Sequence, residues 1–464
     1  MYVYHKCILY FRCYSIIKIN TQRLACIYTM SQLTLADISE ALTTDVVDRA
    51  FKVKTKSADT VERISVTRAA PAGEGLLGAV YRVHVVGQHY RTSFVVKALV
   101  SDELLRTTLN CPKYFSRETL FFSTILPALL RNQKSLGATE SLQCYVPRCF
   151  GWQCDGRNDY LILADLAEKE FKPISKNPNL FERNATLKTI AHFHAVSLAL
   201  RFKEPDIFRK MTEKLSEIYF YEENRNWYDE FLQSAIKLDV AVLAEYENPE
   251  TSLYYKKFTE LINNGAYSQL INIVSERGDN PVLCHGDAWC SNFLYSNETV
   301  ERVIAIDFQI IRCASPATDL SYFILVSNLC RTKEDFNDAV EVYYSSLRYF
   351  LADMKLDATR LFPRESLHKE LKKYGKYGLL ASLTNFPLLA SERCDTLQSY
   401  SAMYQEYERI PLAKLWHLTP LQTEKDKMQT RYDDVNYQRK NGCYFTYFVS
   451  LYNLKKYYFQ QGCF

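Results

Sequence analysis

Three short stretches near the start of the chain alternate apolar and polar residues: Val61-Glu62-Arg63-Ile64-Ser65-Val66, Ala79-Val80-Tyr81-Arg82-Val83-His84-Val85 and Ser93-Phe94-Val95-Val96-Lys97-Ala98-Leu99. A period of two marks half-buried strands, so the three predict an antiparallel meander. Farther on the period lengthens. Phe115–Leu130 reads as a helix, Asp159–Leu166 as a strand running into a connector, and Asn184–Phe202 as a helix with Leu187, Ile190, Ala191, His194 and Leu198 on one face. His194 on that face reads as a core histidine, whereas His192 points elsewhere. Residues 203–280 and 320–415 are helical in pattern and rich in aromatics, with Tyr219, Phe220, Tyr221, Trp227, Tyr228 and Phe231 in one cluster. Two apolar runs, Val282-Leu283-Cys284 and Val303-Ile304-Ala305-Ile306, interrupt the helices and read as adjacent strands. Ser315-Pro316-Ala317-Thr318-Asp319-Leu320 looks like a helix start capped by Thr318 or Asp319.

Composition narrows what such a chain can do. At 464 residues it can form two or three domains or one bilobal enzyme, and 57 basic against 53 acidic residues leave a net charge of +4, too balanced for a nucleic-acid surface. The fourteen cysteines have no regular spacing and read as reduced thiols of a cytoplasmic protein. No apolar run is long enough for a membrane span; Cys7–Phe11 ends at Arg12. Residues 1–29 and 443–464 are rich in Tyr, Phe and Cys without periodicity. They are expected to be foreign to the folded protein, with translation starting at Met30, a first helix opening at Ser31 or Asp37, and a non-core tail over residues 422–464.

The most specific chemistry lies in His285-Gly286-Asp287-Ala288-Trp289-Cys290-Ser291-Asn292, followed by Asp307-Phe308-Gln309. Moving a phosphoryl group requires an aligned hydroxyl, magnesium to neutralise phosphate charge, and donors that hold the phosphates. Asp287 would accept or orient the proton of the attacking hydroxyl, while Asn292 and Asp307 offer the hard oxygens that Mg2+ prefers. The competing reading is an Asp-Trp turn capping a helix at Ser291 or Asn292, with Asp307 an ordinary strand-end carboxylate. His285 reads as a scaffold of the turn rather than a metal ligand or acid-base group, and Asp319 as structural support for the same loop.

Upstream, Gly73-Glu74-Gly75-Leu76-Leu77-Gly78 separates the first two strand patterns. A strand and not a helix follows, which disfavours a dinucleotide fold and favours a glycine hairpin over the phosphates of ATP, formed by Gly73, Gly75 and Gly78. A plain flexible hairpin is the alternative. Lys97 sits alone in an apolar run, where a solitary charge is costly unless partnered, and Glu118 in the following helix is the expected partner.

Taken together, these residues resemble the ecdysteroid kinase-like proteins, also called CHK kinase-like, of the aminoglycoside and choline kinase superfamily. The resemblance runs from about Gly73 to Trp416. It rests on Val282–Trp289, Asn292, Ile306–Gln309 and Pro316–Phe323, supported by Phe115-Ser116-Arg117-Glu118 and Phe193-His194-Ala195. It implies an α+β, bilobal protein-kinase-like fold: a small antiparallel-sheet N-lobe over residues 30–165 and a larger, mostly helical C-lobe over 166–421. It also implies ATP-dependent phosphorylation of a small-molecule alcohol, with Asp287 catalytic, Asn292 and Asp307 on the metal, and Lys97 with Glu118 at the phosphates. The acceptor would be an apolar alcohol, an ecdysteroid or a foreign compound. Ala164 departs from the acidic pair common before the hinge. A protein kinase is disfavoured by Gly286, by Gln309 after Asp-Phe and by the short Asp307–Asp319 connection. A catalytically silent binding module and a kinase for cationic acceptors are the remaining alternatives.

Overall fold

The computed structural model describes residues 33–69, 78–175, 178–296, 302–327 and 332–390. Gly73 and Gly75, the chain ends and the proposed tail lie outside these residues. Residues 33–42 form turns closed by Asp37, which accepts from Thr34, and the helix expected at Ser31 or Asp37 begins later. It is α1 (Thr44–Thr55), capped by the Thr43 side chain.

The alternating segments form β1 (Val61–Arg68), β2 (Ala79–Gly87) and β3 (Arg91–Ala98), joined by β4 (Cys149–Gln153) and β5 (Tyr160–Ala164) in an antiparallel sheet ordered β1-β2-β3-β5-β4. Period two decides the rest. Phe94, Val96 and Ala98 face a core shared with Val83, Val85, Val47 and Phe51 of α1, so Lys97 must emerge on the opposite face.

After β5 the chain is tied back to the sheet by two carboxylates. Asp165 accepts from Arg82 Nε and Ser93 Oγ, each at 2.6 Å, and Glu168 accepts from the Ser93 amide at 2.6 Å and from Lys54 at 2.7 Å. The acidic residues of this connector are therefore spent on holding its course, and Ala164 simply pairs with Phe94 in the ladder.

The helix predicted over 115–130 runs from α2 (Cys111–Leu120) through a π turn (Phe121–Ile125) into α3 (Leu126–Ser135). Pro127 has no N–H to give to the turn before it, and the wider π turn occurs just there. The helical lobe is built around α4 (Leu180–Lys203), opened by an Asn179–Glu182 capping box and buried on all sides through its middle. His192 consequently lies inside too, stacked on Phe350 at 3.8 Å and hydrogen-bonded to Gln133, contrary to its reading as a residue off the apolar face.

The runs expected to be adjacent strands are not paired with each other. β6 (Lys172–Pro173), β8 (Phe293–Tyr295) and β9 (Val303–Ala305) form one small sheet, while β7 (Val282–Cys284) pairs with β10 (Arg312–Ala314) in another. Next come α5 (Pro316–Val326), α6 (Lys333–Asp353), which packs on α4, and α7 (Lys376–Ala390), which packs on α5.

The α5–α7 contact is close because Gly378 lies directly on the Ser321 backbone, where a Cβ would collide, and its N–H donates to Ser321 Oγ at 3.1 Å. Gly378→Ala is expected to destabilise the protein by about 2–4 kcal/mol through overpacking. Denaturant unfolding checks this; an unchanged midpoint would show that the two helices part freely.

Candidate functional site

β7 delivers His285, Gly286 and Asp287 to the face of the helical lobe below the sheet. Gly286 has φ +86°, and a Cβ there would strike the Ile310 carbonyl and approach Arg312 Nε to 3.2 Å, so both conformation and space require glycine. The turn is held from behind by Asp319, in the first turn of α5. Its two oxygens accept the amide protons of His285 at 2.6 Å and Gly286 at 2.9 Å. That task takes it away from capping, and Ser315 caps α5 instead of the expected Thr318 or Asp319. Burial opposes the Asp319 charge. Hydrogen bonding from His194 and from the Gly286 amide, with the polar surroundings of the two imidazoles, outweighs it and holds the carboxyl below its ordinary value.

His285 uses both ring nitrogens. Nε2 donates to the Ile306 carbonyl at 2.8 Å and Nδ1 accepts from the Asp287 amide at 3.3 Å, tying the two acidic loops together. Asn292, in a short 3-10 turn, donates to the Asp287 carbonyl at 3.0 Å and to its carboxylate Oδ2 at 2.8 Å. Its backbone carbonyl accepts from Ile306 N at 2.9 Å, a second tie between the loops. Burial pushes the Asp287 carboxyl up to about 6, with the Asp307 charge adding to it.

Asp307 occupies the left-handed region at φ +67°, a strained conformation for a side-chain-bearing residue. Its neighbours hold it there. Phe308 stacks on Phe121 of the π turn at 3.8 Å and packs against Phe193 and His285. The Asp307 carboxylate meets Lys97 Nζ at 2.5 Å, and the same ammonium donates to Glu118 at 2.6 Å and approaches Gln309 at 3.5 Å. Burial would discharge Lys97, yet the two acids win and hold its pKa above the usual lysine range. Gly78 borders this lysine: a Cβ added there would lie 3.5 Å from Lys97 Cε.

Asp287, Asn292, Asp307, Lys97 and Glu118 thus converge from two loops, a strand and a helix. Asn292 spends its N–H groups on Asp287, which leaves a side-chain carbonyl oxygen as its remaining polar atom; with the Asp307 carboxylate this is a hard oxygen pair of the kind Mg2+ takes. His194, Cys284 and Asp319 also come within 4.8 Å of one another, but their polar atoms are already engaged. His194 bonds Tyr343 and Asp319, and Cys284 reaches the Ala314 and Ser315 carbonyls as a thiol whose pKa burial raises. This cluster is a support for the loop.

Beside Asp287 lies the aromatic cluster, with Tyr219, Phe220 and Tyr228 in edge-to-face contact at 4.8 to 5.6 Å. Tyr228 and Tyr377 both lie within electrostatic reach of the Asp287 carboxylate. Three buried or half-buried charges gather beside the cluster: Glu217 and Arg312, which had escaped the sequence reading, and Arg117, which entered it only as part of the Phe115–Glu118 motif. The signal for Arg312 was present: it is a lone charge in the run Ile310-Ile311-Arg312-Cys313-Ala314, the same clue that singled out Lys97.

A two-lobed fold with an antiparallel sheet above a helical lobe defines, with this site, a kinase-like phosphotransferase acting on a small-molecule hydroxyl and using ATP. The chain belongs to the ecdysteroid kinase-like family, whose model matches residues 72–356. No curated protein matches it in sequence. Among solved structures it is similar to choline kinase from Cryptosporidium parvum, at 11% identity and a TM-score of 0.38 over 86% of this chain and 91% of that one. It is also similar to an ethanolamine kinase from Plasmodium vivax, at 11% identity and a TM-score of 0.36 over 69% and 81% of the two chains. A spectinomycin phosphotransferase solved with ADP and spectinomycin is similar at 12% identity and a TM-score of 0.35 over 74% and 97%. Among the described residues no helix is long and apolar enough to cross a membrane.

Asp319→Ala would leave two buried amides unpaired, and is expected to cost about 2–4 kcal/mol of stability and to slow phosphoryl transfer in the fraction that folds. Chemical denaturation and steady-state kinetics check it. Full stability and rate in the variant would mean that the loop holds its own shape.

Proposed function

We propose that the protein transfers the γ-phosphoryl group of ATP to the hydroxyl of a neutral, largely apolar alcohol, with an ecdysteroid-like or foreign hydroxylated compound as the substrate class. The observation that carries this reading is the Asp287 carboxylate, hydrogen-bonded to Asn292 and within electrostatic reach both of Asp307, the partner of Lys97, and of Tyr228 and Tyr377 in the aromatic cluster. The rings and phenols of the cluster suit an apolar alcohol, and because aromatic faces also hold cations, choline and ethanolamine are the comparison acceptors.

In this reading Asp287 accepts the proton of the acceptor hydroxyl as its oxygen bonds to the γ-phosphorus, and the bond to the β-phosphate oxygen breaks to release ADP. Lys97, kept in place by Glu118, holds the α- and β-phosphates, with Gly73, Gly75 and Gly78 closing over them. Asn292 and Asp307 would hold Mg2+, which supplies neutralisation of phosphate charge when bound. Asp319 and His285 keep Asp287 at its station.

Incubating the protein with labelled ATP, Mg2+ and a panel of primary alkanols, phenylalkanols, hydroxylated steroids, choline and ethanolamine tests the reading. Phosphate is expected on neutral members of the panel. Exclusive labelling of choline or ethanolamine would move the acceptor to the cationic class, and no labelled product at all would leave a silent binding module. Asp287→Asn is expected to lower kcat by a factor of about 10² or more while ATP binding persists. Because it removes a buried charge, the variant should also melt a few degrees above the parent at pH 7.5.

The pH profile follows from the raised carboxyl. Only ionised Asp287 can take the proton, so kcat/KM should be level above about pH 6 and fall tenfold per pH unit below it. An acid limb confined below pH 4.5 would assign the proton to another group.

A further inference from the structure

We infer that Arg117, Glu217 and Arg312 form a buried brace that aligns the acceptor wall with Asp287, making all three positioning residues for the transfer; the inference rests on the phosphotransferase reading above. Glu217 precedes the aromatic cluster, and one of its oxygens accepts three successive amides, Ile218 at 3.1 Å, Tyr219 at 2.7 Å and Phe220 at 3.1 Å. These are the amides that set the direction in which the rings of the wall project. Its other oxygen lies 3.4 Å from Arg312 Nε, an ion pair with side chains only 15% and 4% exposed.

Arg312 completes the connection. It leaves β10 opposite Cys284, passes beside Gly286 where an added Cβ would come within 3.2 Å of its Nε, donates to the Tyr377 hydroxyl at 3.0 Å, and stands over the rings of Phe220 and Tyr377 at 5.7 Å. One guanidinium therefore touches the catalytic turn, α7 and the aromatic wall at once. Arg117 closes the brace from above, donating to the Ser216 carbonyl at 2.6 Å and the Ile311 carbonyl at 3.1 Å, the residues just before Glu217 and Arg312.

The charges of the cluster support this arrangement. Burial, helped by the Arg312 charge and opposed by Glu217, pulls Arg117 down to about 10, while Glu217, Tyr377 and Asp319 overcome burial and raise Arg312. Two guanidiniums thus share one carboxylate in a site closed to water, where removing either end leaves a charge stranded. Arg117 is also the neighbour of Glu118, the partner of Lys97. Helix α2 consequently holds the phosphate-side lysine with one residue and the acceptor wall with the residue before it.

The experiment uses the full chain and, as probe, the panel alcohol with the highest kcat/KM. Glu217→Gln keeps an oxygen for the three amides and removes the charge. It is expected to raise the acceptor KM by about fivefold or more and to lower kcat, while the KM for ATP stays within about twofold. Arg312→Met should do the same, and the double variant should be no worse than either single one, since both break one interaction. Arg312→Lys should recover part of the acceptor KM. If Arg312→Met does not fold, Glu217→Gln and Arg312→Lys decide alone. A folded Glu217→Gln enzyme with parental acceptor KM, equal rises in both KM values, or effects that multiply in the double variant would overturn the brace. Failure of the parent protein to phosphorylate any alcohol would instead overturn the phosphotransferase reading, leaving the two failures distinct.

Discussion

One ammonium shared by two carboxylates organises this molecule. Lys97 Nζ reaches Glu118 and Asp307 from a strand, a helix and a loop that are far apart in sequence. Enclosing the Lys97 ammonium and the fully buried Glu118 is unfavourable unless opposite charge is in place, so the sheet, α2 and the half-buried Asp307 loop must be mutually positioned. The strain in Asp307, held left-handed at φ +67°, is sustained by the same contact and by Phe308 packed under it.

The His285–Asp287 turn depends on a second constraint of the same kind. Gly286 can adopt its positive φ beside the Ile310 carbonyl, and Asp319 then takes up the two amides that the turn exposes to the interior. A polar backbone that faces inward needs a partner, and a carboxylate with both oxygens engaged is a stiff one. This explains why the position held by arginine in protein kinases is glycine here. Arg312, on the strand paired with β7, runs beside this glycine and carries the contact onward to Glu217 and Phe220.

Much of this was legible in the chain. The strand meander followed from period two, α4 from its helical spacing, and the phosphotransferase class from an acid, an amide and a second acid at their fixed separations. The α+β bilobal fold was borne out. The misreadings share a cause. β7 and β9 were expected side by side because both end near an acid, yet they belong to different sheets, since pairing is set by register and packing across the lobe. Asp319 was offered as a cap because it lies at a helix start, and His192 was set outside because one apolar face was assumed where the helix is buried all round.

By itself the sequence determined the local elements, the residue types that phosphoryl transfer requires and their order along the chain, because periodicity and side-chain chemistry act over a few neighbouring residues. Only the tertiary structure decided which groups meet. That Asp307 reaches Lys97, that Asp319 faces inward to the turn, and that Arg117, Glu217 and Arg312 gather beside the aromatic cluster are consequences of burial, where a charge takes whatever partner the packed fold brings within reach.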